Sequence, residues 1–156
     1  GAIGGFCASN HPKFDLMRLT SHPYMYTASL SPSNVASVQA ALRLLRSKPE
    51  LRDRLRANAT ALYDGLTGLG FTVCSKDSPI VAVRMGDPEE AAFVWNRLMK
   101  YGVYVNLAIP PGTPNGVCLL RCSVSAAHTD ADIEGICSAF AKVAEDIGLD
   151  AARSAE

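Results

Sequence analysis

The chain has 156 residues, 48% of them hydrophobic, with 15 basic and 15 acidic side chains that cancel. That length and apolar content suffice for a sizeable core, and interspersed charges summing to zero leave no electrostatic footprint for nucleic acid or an anionic membrane. No apolar run approaches the roughly 18 residues a membrane-spanning helix needs.

In chain order, Gly1, Gly4 and Gly5 suit a turn or close backbone packing. Phe6 to Ser9 reads as extended, His11 to Leu19 as a short helix, and the chain to residue 31 as a loop. This segment cannot bury its own apolar residues. Ser31-Pro32 opens a helix with Val35, Val38, Leu42 and Leu45 at helical spacing, ending at Ser47-Lys48. A stronger helix follows over Pro49 to Leu69. Leu51, Leu55, Ala59, Leu62, Leu66 and Leu69 form one stripe, Pro49 suits its first turn and Gly70 its left-handed stop. Arg52, Asp53, Arg54 and Arg56 read as its solvated face, with a partner surface as the alternative.

From Gly70 the pattern is that of a compact α+β unit. Phe71 to Cys74 and Ile80 to Met85 are predicted strands. Asp87-Pro88-Glu89-Glu90 carries helix-start signals, and the helix it opens should bury Ala91, Val94, Trp95, Leu98 and Met99 before stopping at Gly102. Val103 to Leu107 is a third strand, followed by the proline-rich Pro110-Pro111-Gly112-Thr113-Pro114-Asn115-Gly116 and a fourth strand, Val117 to Val124. Thr129-Asp130-Ala131-Asp132 caps a last helix whose stripe is Ile133, Ile136, Cys137, Phe140, Val143 and Ile147, ended by Gly148. Asp150 to Glu156 reads as a frayed tail. The sum is a small antiparallel sheet covered on one side by helices.

Cys7, Cys74, Cys118, Cys122 and Cys137 are odd in number, lie in apolar runs and lack metal-ligand spacing. They read as small buried hydrophobes of a reducing, cytoplasmic compartment, with no metal site. His11 and His22 have no acidic or thiol cluster around them. His128 reads as a packed structural residue and Thr129 as the N-cap, with Asp132 at the third helical position.

Strand alternation places Cys118, Leu120, Cys122 and Val124 on one apolar face and Val117, Leu119, Arg121 and Ser123 on the other. Arg121 thus stands alone, opposite the packing face. A planar carboxylate matches its donor fork best; a structural ion pair or a solvated edge position is the alternative. Thr27 could donate its hydroxyl to a phosphate or serve as a turn hydroxyl before the Ser31-Pro32 helix start. The loop at 110–116 could be a plain surface connection or a gate with a few defined states.

Four segments together carry a resemblance: Gly1-Ala2-Ile3-Gly4-Gly5-Phe6; Arg18-Leu19 with His22-Pro23-Tyr24-Met25-Tyr26-Thr27-Ala28-Ser29-Leu30-Ser31-Pro32; Pro110-Pro111-Gly112-Thr113-Pro114; and Leu119 to Thr129. In order and spacing the chain resembles the pyridoxal-phosphate-dependent α-oxoamine synthases. Tyr104-Val105-Asn106-Leu107, the 110–114 loop and the Arg121 to Ser125 strand favour the soluble bacterial serine palmitoyltransferase branch. The resemblance implies a fold-type-I transferase of the α/β class, here its C-terminal part. Residues 1–31 would close the large cofactor domain, 32–69 would be connecting helices, 70–148 the small α+β domain and 149–156 a tail.

The resemblance further implies pyridoxal 5′-phosphate as cofactor, L-serine and a long-chain acyl-CoA as substrates, and a homodimer. Arg121 would hold the serine carboxylate, Thr27 would reach the partner subunit's cofactor phosphate, and Pro110 to Pro114 would form a mobile loop beside the substrate. Gly112 stands where the family usually has alanine. The family's Schiff-base lysine lies three or four residues before the glycine matching Gly1, and Lys13, Lys48, Lys76, Lys100 and Lys142 all sit in other contexts. No catalytic residue is therefore expected in this chain. Two alternatives stay open: a sister synthase joining glycine or alanine to a shorter acyl-CoA, and a non-catalytic domain without cofactor.

Overall fold

The structure, a computed structural model, describes residues 3–76 and 78–149. It divides into two compact units, residues 1–48 and 49–156. The expectations for Gly1, and for a frayed tail after residue 149, fall outside the described residues.

In the first unit a 3-10 turn over Phe14–Leu16 runs into α1 (Met17–Thr20), followed by α2 (His22–Met25) and α3 (Pro32–Ser47). The single helix expected over His11 to Leu19 is therefore shorter and partly 3-10, and the expected loop contains α2. Pro23 in the first turn of α2 supplies the reason, since its fixed φ suits that position. Ser31 caps α3, its Oγ accepting the Asn34 N–H at 3.3 Å. Gly4, at φ 103°, lies against Leu30, whose side chain fills the space a β-carbon would need. No described residue of this unit is buried, and the α3 stripe of Val35, Val38, Leu42 and Leu45 is exposed.

The second unit holds the core. α4 (Glu50–Gly68), α5 (Pro88–Lys100) and α6 (Asp130–Ile147) pack on a sheet of β1 (Ile80–Met85), β2 (Asn106–Ala108) and β3 (Cys118–Ser123). The strand order is β1-β3-β2, antiparallel throughout, so β3 is central. β1 pairs from Ile80 opposite Ser123 to Met85 opposite Cys118, and β2 from Asn106 opposite Arg121 to Ala108 opposite Leu119. The inward rows, Val81, Val83 and Met85 with Cys118, Leu120 and Cys122, are buried against Leu62, Leu66, Leu98, Phe140 and Val143. Each such large side chain contributes roughly 1.5–3 kcal/mol on leaving water. Phe71 and Phe140 meet edge to face, 5.3 Å between centroids.

The caps follow local chemistry. Asp87 Oδ1 accepts the N–H groups of Glu89 and Glu90 at 2.9 and 2.8 Å, and Glu90 reaches back to the Gly86 N–H at 2.7 Å. Thr129 and Asp132 form a reciprocal capping box, and Gly148 ends α6 at φ 66° in the left-handed region. On the outer surface Arg97 joins α5 to α6 through Asp146, with the Tyr101 hydroxyl donating to the same carboxylate at 3.1 Å.

Several expectations are corrected. Phe71 to Cys74 is reduced to one bridge, Val73 opposite Val83, and the Val103 to Leu107 strand to Asn106–Ala108. Both lie at a sheet edge, where only one neighbour supplies hydrogen bonds. Met99 is 46% exposed because it lies beside, not on, the α5 face of Ala91, Val94 and Leu98. Leu51 is exposed for want of cover at the first turn of α4. Cys7 and Cys74 are exposed, whereas Cys118 and Cys122 are buried and Cys137 is partly so. Burial, with a smaller contribution from Cys137, pushes the Cys122 thiol up to about 12, so it stays protonated and inert. No helix among the described residues is long and apolar enough to cross a membrane.

Candidate functional site

The alternation expected of β3 is present. Cys118, Leu120, Cys122 and Val124 are buried, while Arg121 and Ser123 are exposed. Arg121 therefore rises from the middle of the central strand, on the face that none of α4, α5 and α6 covers. Its register partners are Ala82 on β1 and Asn106 on β2. That face carries Ile80, Ala82 and Arg84 from β1, Leu119, Arg121 and Ser123 from β3, and Asn106 and Ala108 from β2. It contains no carboxylate. The Arg121 guanidinium has neither an ion-pair nor a side-chain hydrogen-bond partner among the described residues, so its donor fork is free for an incoming anion.

The loop expected to sit beside the substrate connects β2 to β3, and so starts and ends on the strands that position Arg121. Pro110 and Pro111 are joined by a cis peptide, and Pro114 to Gly116 make a 3-10 turn in which Asn115 and Gly116 take positive φ of 56° and 70°. The Gly112 N–H donates to the Ile109 carbonyl at 2.9 Å, and the Thr113 hydroxyl donates to the Val117 carbonyl. A β-carbon at Gly112 would approach the Ile109 oxygen to 3.2 Å, closer than an ordinary van der Waals contact. Thr27 belongs to the first unit, on the exposed turn that follows α2; its hydroxyl has no hydrogen-bond partner among the described residues.

The exit of β3 is held by a residue sequence reasoning missed. Asn58, on α4 and only 4% exposed, donates its amide to the carbonyls of Ser125 at 3.1 Å and His128 at 2.9 Å. His128 is structural, as expected: its Nδ1 accepts the Ser125 N–H at 3.1 Å, and its carbonyl also receives Arg54 at 3.4 Å. Arg84, on the same open face as Arg121, was also missed. Its position relative to Arg121 depends on strand register, which no local pattern reveals. A cavity of about 530 Å³ opens elsewhere in this unit, lined by Leu55, Tyr63, Arg52 and Lys76 among others. Arg121 is not among its lining residues, so the chemistry of the strand, not this hollow, marks the candidate site.

A model of the class I and II aminotransferases matches residues 1–140. The serine palmitoyltransferase of Caulobacter vibrioides is 52% identical over 149 residues, covering 96% of this chain and 37% of that protein. That of Sphingomonas paucimobilis is 46% identical, with 96% and 36% covered, and the 2-amino-3-ketobutyrate coenzyme A ligase of Escherichia coli is 34% identical. Among solved structures, the S. paucimobilis serine palmitoyltransferase with a bound pyridoxal phosphate–myriocin aldimine superposes with a TM-score of 0.84 at 46% identity, over 91% of this chain and 36% of that one. The Sphingomonas wittichii serine palmitoyltransferase gives 0.83 at 41% identity, with 96% and 38% covered. The chain thus spans little more than a third of the length of the relatives it matches. Its three-stranded antiparallel sheet under helices is part of the fold-type-I transferase architecture those enzymes share. The chain belongs to the class I and II aminotransferase family, in the α-oxoamine synthase group that includes the bacterial serine palmitoyltransferases.

Proposed function

We propose that this chain is the C-terminal part of a serine palmitoyltransferase, a homodimeric cytoplasmic enzyme that condenses L-serine with a long-chain acyl-CoA. The products would be 3-ketodihydrosphingosine, carbon dioxide and free CoA. The observation that carries this reading is the 52% identity to the Caulobacter enzyme over 96% of the chain. Within it, residues 1–31 close the large domain, 32–69 connect, 70–148 form the small domain and 149–156 trail from it.

The residues present suit pyridoxal 5′-phosphate and an amino acid. Thr27 offers an unengaged hydroxyl for the phosphate of the partner subunit's cofactor, and Arg121 an unengaged guanidinium for the serine carboxylate. Bound, the cofactor supplies an electron sink for chemistry at the amino acid's α-carbon. Arg121 fixes the carboxylate at two points and so decides which α-carbon bond is presented for cleavage. The loop of Pro110, Pro111, Gly112, Thr113 and Pro114 hangs between β2 and the strand of Arg121 and would exclude water on closing over the substrates. On this reading the Schiff-base lysine would not be one of this chain's residues.

The test is product formation by the whole enzyme, followed as free CoA. L-serine with palmitoyl-CoA should far outpace glycine or alanine with acetyl-CoA. The reverse preference would make the enzyme a sister synthase, and no turnover with any pair would leave a non-catalytic protein.

A further inference from the structure

Arg121 is not the only guanidinium on the open sheet face. Ala82 pairs with Arg121 and Arg84 pairs with Leu119, so Arg84 is the diagonal same-face neighbour of Arg121 across β1 and β3. Such neighbours lie roughly 7–8 Å apart at the backbone, within joint reach of two long side chains. Both arginines are exposed and neither has an acidic partner among the described residues. The other outward positions of the two strands are Ile80, Ala82, Leu119 and Ser123, all uncharged.

Two like charges on one face repel each other by an amount that solvent moderates but does not remove. Elsewhere in the unit Arg97 and Arg56 are each matched to an aspartate, Arg54 donates to the His128 carbonyl, and Arg52 has no acidic partner among the described residues. The face with Arg84 and Arg121 has no such match, which suits it to more than one negative group at once. The proposed reaction brings together two substrates that each carry a negatively charged group. Arg121 is occupied by the amino acid's single carboxylate, which leaves Arg84 for the second substrate, whose negative charge resides in the phosphates of its CoA portion.

We propose that Arg84 is a binding residue for a phosphate of the CoA portion of the thioester substrate, with the acid-free β1–β3 face as the floor shared by both substrates. This rests on the serine palmitoyltransferase reading given above. Arg84 acts by charge and hydrogen bonding alone, and no covalent step passes through it.

The experiment measures the affinity of CoA, dephospho-CoA and pantetheine for the whole enzyme by calorimetry, comparing the parent with Arg84→Gln and Arg84→Lys. Michaelis constants for L-serine and palmitoyl-CoA are measured beside them. In Arg84→Gln, CoA should bind about five- to tenfold more weakly, the size expected of one partly screened charge-assisted contact. Arg84→Lys should recover part of the loss, pantetheine should bind both forms alike, and the constant for serine should not move. Loss with CoA but not with dephospho-CoA assigns the contact to the 3′-phosphate; equal loss with both assigns it to the pyrophosphate. CoA affinity within twofold of the parent in Arg84→Gln overturns the proposal, as does an equal loss for pantetheine, or a parent enzyme that does not bind CoA. If CoA binding depends on Arg84 while no serine–palmitoyl product forms, the reaction assignment fails and the anion site stands. If product forms and CoA binding ignores Arg84, the site fails alone.

Discussion

Arg97 and Asp146 meet through two bonds, Nε to Oδ2 at 2.8 Å and an η-nitrogen to Oδ1 at 2.7 Å, and so join the C-terminal ends of α5 and α6. The bond to Arg97, assisted by the Tyr101 hydroxyl, holds the Asp146 carboxyl below its usual range against a smaller opposing effect of burial. A carboxylate with a depressed folded-state pKa stabilises the fold above the ordinary carboxylate range, and that contribution is lost as pH falls through the depressed value. Asp146→Asn should therefore lower stability at neutral pH. The gap between parent and variant should close in acid, as followed by urea unfolding at a series of pH values. A gap that does not change with pH would mean that packing, not charge, accounts for the loss.

Asn58→Leu should cost about 1–3 kcal/mol, because the Ser125 carbonyl loses its side-chain donor and that of His128 keeps only the long bond from Arg54. Asn58→Asp should be worse at neutral pH, since a carboxylate would face two carbonyl oxygens. Chemical denaturation of the three proteins gives the order directly.

Thr129→Ala removes the hydroxyl half of the α6 capping box and should cost about 1 kcal/mol, with Thr129→Ser close to the parent. Thermal unfolding is a sufficient readout. A serine variant as weak as the alanine one would point to the lost methyl group instead.

In the whole enzyme, Arg121→Ala should weaken serine binding by about 1.5–3 kcal/mol and slow turnover, while the cofactor's absorbance without substrate stays as in the parent. Arg121→Lys should rescue only part, because an ammonium cannot match both carboxylate oxygens. Unchanged serine affinity in the alanine variant would reduce Arg121 to a solvated strand residue.

Thr27→Val keeps the shape, removes the hydroxyl and should loosen retention of pyridoxal phosphate, measured by dialysis and absorbance. Mixed dimers of Thr27→Val subunits with subunits lacking the Schiff-base lysine would carry one site missing both groups and one intact. Activity near half that of the parent supports a contact across the interface. Tight cofactor retention by the valine enzyme would make Thr27 a turn residue only.

Features set by neighbouring residues were legible in the chain itself. The Asp87 and Thr129 caps, the Gly148 stop and the alternation that turns Arg121 outward all depend on contacts within a few positions. What was not legible depends on distant partners. Asn58 sits in a helical stripe like any polar interruption, and its acceptors lie 67 and 70 residues away. Arg84 and Arg121 become neighbours only once β1 and β3 fix their register. The strands at 71–74 and 103–107 are shorter than expected because an edge segment extends only as far as its single neighbour allows, and Cys74 is exposed because it alternates outward with Thr72 while Phe71 and Val73 turn in. The roles proposed for Thr27 and the 110–114 loop rest on family resemblance; the residues alone point to a turn hydroxyl and a surface connection.

The middle place of β3 has a mechanical consequence. β3, which carries Arg121, is flanked by a paired strand on each side, whereas the loop at 109–117 begins on a three-residue edge strand held from one side only. Stiffness and compliance thus adjoin along one stretch of chain. On the proposed reading, Arg121 would keep its aim on the carboxylate while the loop beside it yields, and substrate could enter without disturbing the guanidinium.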